Sequence, residues 1–234
     1  MPNNYFQFKQ FKIIQDQCAM KVSTEACILG AWVDKASPRQ ILDIGTGTGL
    51  LSLMLAQRYD CKVDAVELET QTSIQAKENF SNSPWRDRIR LINQDIQEFS
   101  ESNNNVYDLV VCNPPFFQSS LKSQDAKNNM AKHETEYFNK TILVDVLLRL
   151  LSPIGSAFVL YPEDESLAFQ KLIESEGFSV DKRLVIKNQL LGKVFRIILA
   201  ISKKDTKTID EELVIRNGEE YSVEMKDLLE DYYL

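Results

Sequence analysis

The chain has little of what disulfide frameworks, metal centres and membrane spans are made from. Its four cysteines, Cys18, Cys27, Cys61 and Cys112, show no CxxC spacing, so neither a disulfide framework nor a zinc site is indicated. The single histidine, His133, has no cysteine or aspartate at ligand spacing, and we expect no metal ion. No apolar run approaches the roughly 20 residues that span a membrane, and the polar first residues contain no signal-peptide core. A cytoplasmic protein is therefore expected.

Positive charge is scarce overall but not locally. The net charge of −7 lies entirely in residues 208–234, which hold nine acidic and two basic side chains. Residues 181–207 hold eight basic and two acidic side chains, a local charge of +6. Local fields steer polyanions, so this segment is a candidate surface for a nucleic acid, with Lys187, Lys193 and Arg196 as candidate contacts. A solvated surface on two edge strands explains the same charges equally well.

A glycine-rich loop stands at the centre of the sequence pattern. The apolar strand Ile41–Ile44 runs into Gly45-Thr46-Gly47-Thr48-Gly49 and then into an apolar helix, Leu50–Tyr59. Glycines let the backbone approach a ligand, and the helix N-terminus offers free N–H groups. The next strand ends in Glu67, which is placed to accept hydrogen bonds from both hydroxyls of a ribose. This pattern indicates a nucleoside-containing ligand.

Asp43 distinguishes the two ligands that suit such a loop, a dinucleotide and S-adenosylmethionine. A carboxylate directly ahead of the glycines repels a pyrophosphate but attracts the ammonium group of S-adenosylmethionine. We therefore predict S-adenosylmethionine, held by Asp43, Gly45, Thr46, Gly47, Gly49 and Glu67. The alternative is that Asp43 only caps or solvates a strand end.

A second motif, Asn113-Pro114-Pro115-Phe116, follows the apolar strand Tyr107–Cys112. The prolines force the chain out of the sheet at its carboxyl edge, where open α/β sheets bind ligands. Two oxygen acceptors, the Asn113 amide and the Pro114 carbonyl, can hold both N–H bonds of a planar amine and leave its lone pair free to attack a methyl group. Phe116 can stack on the same group. An ordinary strand-ending turn is the alternative.

Together these residues resemble a Rossmann-type methyltransferase that modifies planar amino nitrogens. Residues 8–13 and 20–32 also resemble the bacterial tRNA adenine-N6-methyltransferases, which methylate adenine 37 beside the anticodon of a valine tRNA. That family usually has Thr-Asp-Gly or Thr-Asp-Ala where this chain has Thr24-Glu25-Ala26. The resemblance implies catalytic roles for Asn113 to Phe116 and cofactor contacts for Thr24 and for Asp95, which would hold the adenine amino group. A turn aspartate is the other explanation of Asp95.

Three substrates remain open for the Asn-Pro-Pro turn: adenine N6, guanine N2 of ribosomal RNA, and a protein glutamine. Glutamine methyltransferases typically have tyrosine where this chain has Phe116, and a helical domain ahead of the core. The related guanine enzymes carry a second copy of the fold. Adenine N6 of tRNA is therefore the expected target, and no oligomer is indicated.

The expected fold is α/β, a Rossmann-like class I methyltransferase with a seven-stranded, mostly parallel sheet and helices on both faces. Its final pair, Phe178–Lys187 and Val194–Ser202, should be antiparallel. We divide the chain into an N-terminal ribbon and helix (1–36), a methyltransferase core (37–207) and an acidic appendix (208–234). The helix Thr24–Lys35 should have Thr24 as its N-cap, and the appendix should hold a strand at Leu213–Arg216 and a helix.

Two further segments are candidates for substrate contact. The ribbon alternates aromatic residues with polar ones and contains Lys9 and Lys12, so it can present rings and charges to unpaired bases or pack its rings on the sheet. Residues 117–136 are polar and lack periodicity, which is typical of a lid over a target base.

Overall fold

The computed structural model describes residues 4–18, 20–115 and 139–234. The strands are β1 (Tyr5–Gln7), β2 (Lys12–Ile14), β3 (Gln40–Ile44), β4 (Lys62–Glu67), β5 (Ile89–Asn93), β6 (Tyr107–Cys112), β7 (Leu151–Tyr161), β8 (Ser179–Gln189), β9 (Val194–Ser202), β10 (Ile209–Asn217) and β11 (Glu220–Tyr221). The helices are α1 (Thr24–Trp32), α2 (Leu50–Arg58), α3 (Thr70–Ser81), α4 (Ile96–Ser102), α5 (Lys140–Leu150), α6 (Glu163–Ser175) and α7 (Val223–Leu228).

Within the described residues, nine strands form one sheet in the order β11-β10-β8-β9-β7-β6-β3-β4-β5. Strands β3 to β7 are mutually parallel where they pair, and β9 is antiparallel to both of its neighbours, β7 and β8. The expected mostly parallel sheet with an antiparallel final pair is confirmed. The strand count is nine rather than seven, because β10 pairs in parallel with β8 and carries β11 with it.

Helices cover both faces of this sheet, as predicted. Apolar residues of α1, α2, α3 and α7 pack on one face, and those of α4, α5 and α6 pack on the other. Strand β6 is buried at every residue, which explains why all of its residues except Asp108 are largely apolar. Because β3 to β7 are parallel, their carboxyl ends lie along the same edge, which we call the carboxyl edge. No described helix has both the length and the apolar composition of a membrane span.

The N-terminal ribbon uses its rings for packing. Phe8 and Phe11 are buried and stack on each other, and Phe6 packs on both Phe8 and Tyr233. Of the four aromatic residues Tyr5, Phe6, Phe8 and Phe11, only Tyr5 is exposed, and the Lys12 ammonium lies 4.9 Å from its ring centroid. The rings of Phe6, Phe8 and Phe11 therefore pack on the protein, which is one of the two roles considered for them.

The acidic C-terminal segment belongs to the same core as the ribbon. Met225, Leu229 and Tyr232 are buried in the cluster that contains Phe8, and the Lys9 N–H donates to the Tyr232 carbonyl oxygen at 2.8 Å. How the chain divides into separate folding units stays a prediction.

Helix α1 begins and ends differently from the prediction. Ser23, not Thr24, is the N-cap, because its backbone is extended and its Oγ accepts from the Ala26 N–H at 3.3 Å. The helix ends at Trp32 rather than Lys35.

Strand β10 is longer than the predicted strand Leu213–Arg216, because it pairs along β8.

Candidate active site

A cleft lies at the carboxyl edge, between the ends of β3, β4, β5 and β6. Its walls are Ile44 and Gly45, residues 66–69, residues 94–96 and residues 112–115. This is the edge at which open α/β sheets bind ligands. Folding thus brings Gly45, Glu67, Asp95 and Asn113 around one space, although up to 68 positions separate them in sequence.

Asp43 lies fully buried below the glycine loop. Its Oδ2 accepts from the Thr46 hydroxyl at 2.6 Å and from the Ser52 N–H and hydroxyl at 3.1 and 2.7 Å. Its Oδ1 is buried and has no hydrogen-bond partner among the described residues. Burial raises the pKa of this carboxyl to about 6, against the opposing effect of these hydrogen bonds. An unpaired buried carboxylate oxygen is the group that an ammonium ligand satisfies.

The glycine loop wraps around the ends of β3 and β4. Gly45 and Thr46 donate their N–H groups to the Val66 carbonyl oxygen at 2.9 and 3.0 Å. Gly45, Gly47 and Gly49 all have positive φ. A Cβ on Gly45 would meet nothing within 4 Å, whereas one on Gly49 would stand 2.4 Å from the Phe80 ring. Gly45 therefore keeps the cleft open, and Gly49 allows α2 to pack on α3.

Glu67 joins the loop to the end of β4. Its Oε2 accepts from the Gly47 N–H at 2.9 Å and its Oε1 from the Glu69 N–H at 3.0 Å. Burial raises the pKa of this carboxyl, and the two N–H donors oppose that shift. Each carboxylate oxygen has a further lone pair, so the group can still accept from ribose hydroxyls.

Asp95 is a helix cap at the edge of the cleft, and its contact with the cofactor stays a prediction. Its Oδ1 caps α4 by accepting from the Gln97 and Glu98 N–H groups at 2.7 and 3.3 Å, and the residue also lines the cleft. Because Oδ1 makes both capping bonds, Oδ2 is not needed for the cap.

Asn113 occupies the opposite wall, directly after β6. Its Oδ1 is buried and has no partner among the described residues. Pro114 and Pro115 line the cleft beside it. A buried carbonyl oxygen without a donor is costly, so this atom is poised for a ligand N–H. Phe116, His133 and the predicted lid lie outside the described residues.

The described residues hold no cluster of histidine, cysteine and carboxylate side chains suited to a metal ion.

Comparison with known proteins shows the family to which the chain belongs. Residues 18–142 match the family model described as "Methyltransferase small domain". The tRNA1(Val) (adenine(37)-N6)-methyltransferase of Trichodesmium erythraeum is 40% identical over 100% of this chain and 99% of its own. The protein of the same name from Dyadobacter fermentans is also 40% identical, again over 100% and 99%. The chain belongs to this methyltransferase family.

Solved structures support the fold independently of close sequence similarity. An Agrobacterium tumefaciens protein titled a predicted O-methyltransferase superposes with a TM-score of 0.68 at 16% identity, over 88% of this chain and 95% of its own. A ribosomal protein L11 methylase from Lactobacillus delbrueckii gives 0.56 at 18%, over 81% and 83%. The expected class I methyltransferase fold, the enzyme class and the cofactor, S-adenosylmethionine, are confirmed by this membership.

The basic residues of segment 181–207 lie at two opposite edges of the sheet. Lys187, Lys193 and Arg196 lie at or beyond the carboxyl edge, whereas Lys203 and Lys204 follow β9 at the opposite edge. Strand β10 compensates part of the positive charge: Arg183 pairs with Asp210 at 2.8 Å and Lys187 with Glu212 at 2.7 Å. The local excess is therefore smaller than the sequence count of +6 indicates.

Several predicted contacts lie outside the cleft walls. Thr24 is half-buried in the first turn of α1, and Thr46 and Gly49 serve the loop itself. The Lys9 ammonium donates an N–H to the Glu230 carbonyl oxygen of the C-terminal segment. Their roles in binding stay predictions.

Sequence reasoning missed two buried polar residues that support the loop. Ser52 makes two of the three donations to Asp43. Asn79 donates to the Thr48 carbonyl oxygen at 2.8 Å and exchanges hydrogen bonds with the backbone of Ile14, at 2.8 and 2.9 Å. The available signal was a polar side chain on the apolar side of each helix, at a position where burial demands a partner.

Proposed function

We propose that this protein transfers the methyl group of S-adenosylmethionine to the exocyclic N6 of adenine 37 in a valine tRNA. The observation that carries the proposal is the buried, unpaired Oδ1 of Asn113, in the same cleft as Gly45, Glu67 and Asp95. The relatives at 40% identity, which bear the name of this activity, support the choice of substrate. Because tRNA is the substrate, we place the protein in the cytoplasm.

The cofactor is assigned to residues that line the cleft, Gly45, Glu67 and Asp95, and to Asp43 and Gly47 of the adjoining loop region. Asp43 is assigned to the ammonium group, Gly45 and Gly47 to the close approach of the amino-acid end, Glu67 to the ribose and Asp95 to the adenine amine. The orphan Oδ1 of Asp43 fits this assignment, since a cation removes the cost of its burial. When bound, the cofactor supplies an electrophilic methyl group on a sulfonium.

In this reaction adenine N6 is the nucleophile, so the protein has to position this amine and does not have to supply a nucleophile of its own. The lone pair of adenine N6 is delocalised into the ring, so the free amine attacks weakly. Asn113 Oδ1 and the Pro114 carbonyl oxygen each accept one N–H bond, which allows the nitrogen to pyramidalise and aim its lone pair at the methyl group. Proximity and orientation can lower the barrier of such a displacement by about 7–11 kcal/mol. Phe116 is assigned to stacking on the base.

The target base must leave its loop to enter the cleft, which is cheapest for an unpaired nucleotide. The cations at the carboxyl edge, Lys187, Lys193 and Arg196, are assigned to phosphates of the RNA, with Lys9 and Lys12 as further contacts. Binding should weaken steeply with salt because phosphate contacts release counterions.

The decisive experiment identifies the methylated nucleoside. Purified protein is incubated with labelled S-adenosylmethionine and total RNA from a strain that lacks the gene, and the RNA is then digested. We expect label in N6-methyladenosine from tRNA, at position 37 of a valine tRNA when that species is isolated. N2-methylguanosine in ribosomal RNA, or label only in protein glutamine, would refute the substrate while leaving the cofactor assignment intact.

A further inference from the structure

The turn between β8 and β9 holds two leucines, although it is exposed to solvent. The Gly192 N–H donates to the Gln189 carbonyl oxygen at 2.8 Å, which makes Leu190 and Leu191 the two central residues of a tight turn. Leu190 is 68% exposed and Leu191 is 99% exposed. Turns of this kind normally hold asparagine, aspartate or glycine. Two large apolar side chains held in water at a turn point to a surface that is covered by a partner.

The pairing register places this turn beside the catalytic cleft. Cys112, which precedes Asn113, is level with Val159 of β7, and β7 ends at Tyr161, opposite Ile197. Strand β9 extends three residues beyond that point, to Val194, so the hairpin projects about 10 Å past the end of β7. Since β9 is two strands from β6, the lateral offset from Asn113 is also about 10 Å. With both offsets combined, Val194 lies about 15 Å from Asn113, and the turn lies beyond Val194.

The charges around the turn suit a polyanion on the side that faces the cleft. Lys193 follows the turn and is exposed, and the Arg196 guanidinium lies 4.4 Å from the Phe195 ring centroid. Lys187 is on the neighbouring strand and shares its charge with Glu212. Arg196 is largely covered and lies 3.9 Å from a carboxylate oxygen of Glu25, so among the described residues Lys193 is the exposed cation beside the leucines.

From this placement we infer that Leu190 and Leu191 form an apolar wedge that contacts the bases next to the target adenine when it leaves the stack. The inference rests on the proposed function and extends it to the step before methyl transfer. A flipped base leaves its neighbours without a stacking partner, and apolar side chains inserted at such a step replace part of the lost contact. The hairpin projects beyond the cleft that receives the base, so its leucines lie on the side where the rest of the RNA loop remains.

The test uses two surface variants of the full chain. One carries Leu190→Ser and Leu191→Ser together; the control carries Ile154→Ser, which removes a 65% exposed apolar side chain from the opposite end of β7. The RNA is an anticodon stem-loop with 2-aminopurine next to adenine 37, whose fluorescence rises when its neighbour unstacks. Methyl transfer, cofactor affinity and thermal stability are measured on the same samples.

We expect the double variant to lose most of the fluorescence rise and to methylate at least 10-fold more slowly, with cofactor affinity and melting temperature within error of the wild type. The Ile154→Ser control should match the wild type in every measurement. Equal fluorescence and equal rates in the double variant and the wild type would overturn the wedge. So would an unchanged reaction accompanied by loss of self-association in solution, which would make the turn a protein contact. Failure of the wild type to form N6-methyladenosine refutes the proposed function instead, so the two failures are distinguishable.

Discussion

The Gly47 N–H donates to the Glu67 carboxylate at 2.9 Å. This bond joins the glycine loop after β3 to the end of β4, so the carboxylate assigned to the ribose also fixes the loop assigned to the amino-acid end of the cofactor. The second oxygen of Glu67 accepts from the Glu69 N–H at 3.0 Å, which anchors the carboxylate at the start of α3. Loop and ribose site are thus held by one side chain.

Replacing Glu67 with glutamine should weaken cofactor binding and loosen the loop together. The amide NH2 would have to face either Gly47 N–H or Glu69 N–H, and two donors cannot pair. Calorimetry should show a Kd for S-adenosylmethionine raised about 10- to 100-fold, because hydrogen bonds to charged groups contribute about 1.5–3 kcal/mol. The exposed Glu98→Gln is the matched control. An unchanged Kd for Glu67→Gln would remove Glu67 from the cofactor site.

Asn113→Ala should abolish turnover and leave cofactor affinity within a few fold. The change removes the buried acceptor assigned to the adenine amine but no proposed cofactor contact. Single-turnover rates with tRNA and calorimetry with S-adenosylmethionine separate the two effects. Asn104→Ala, at an exposed position ahead of β6, should behave as wild type. If Asn113→Ala folds normally but no longer binds the cofactor, the residue has been assigned to the wrong ligand.

Asp43→Asn should stabilise the ligand-free protein at neutral pH and impair cofactor binding. Burial raises the folded-state pKa of Asp43 from 3.8 to about 6, so its contribution to stability is present below about pH 4 and lost as the pH rises through 6. The asparagine variant lacks this loss, and its advantage should reach up to about 3 kcal/mol above pH 7, at 1.36 kcal/mol per pKa unit. Urea unfolding at pH 4 and pH 7.5 measures it. An advantage that is equal at both pH values would contradict the assignment.

Gly49→Ala should cost more stability than Gly45→Ala. Both positions have positive φ, at 85° and 67°, which costs a residue with a Cβ about 1–2 kcal/mol. Only the Gly49 variant also drives its Cβ to 2.4 Å from Phe80 and so displaces α2 from α3. Denaturant midpoints should rank the wild type first, Gly45→Ala second and Gly49→Ala last. Gly45→Ala should in addition lose cofactor affinity because its Cβ points into open space beside the cleft.

Lys193→Glu should raise the KM for tRNA several-fold, whereas Lys204→Glu should change it little. Both lysines are exposed, but Lys193 lies beyond the carboxyl edge and Lys204 follows the other end of β9. The salt dependence of tRNA binding should also become shallower by about one unit of slope for Lys193→Glu, as expected when one phosphate contact is lost. Equal effects of the two variants would indicate binding by net charge rather than by a defined face.

Much of the site was predictable because its determinants are local in sequence. A strand that runs into glycines, an acidic residue at the next strand end and a strand stopped by two prolines each specify a turn by backbone sterics and hydrogen bonding alone. Parallel alternation of strands and helices then brings those turns to one edge, so Gly45, Glu67 and Asn113 could be assigned to one cleft before the fold was known.

Other features depended on which elements become neighbours. Ser23 rather than Thr24 caps α1 because only Ser23 has the extended backbone that directs its Oγ at Ala26. Similarly, the alternation of aromatic and polar residues in the ribbon is compatible with contacts to RNA bases. The rings of Phe6, Phe8 and Phe11 pack in the core instead, because the C-terminal segment lies beside them.

The sequence by itself determined the strand-turn-helix units and the chemistry at their ends. Only the tertiary structure decided that β10 lies parallel to β8, where Asp210 meets Arg183 and Glu212 meets Lys187, so that an acidic segment and a basic one compensate each other. The physical reason is the different distance along the chain over which the two kinds of interaction act. Turn and cap preferences act over a few residues, whereas strand order is set by burial of apolar surface summed over the whole sheet, which no single segment encodes.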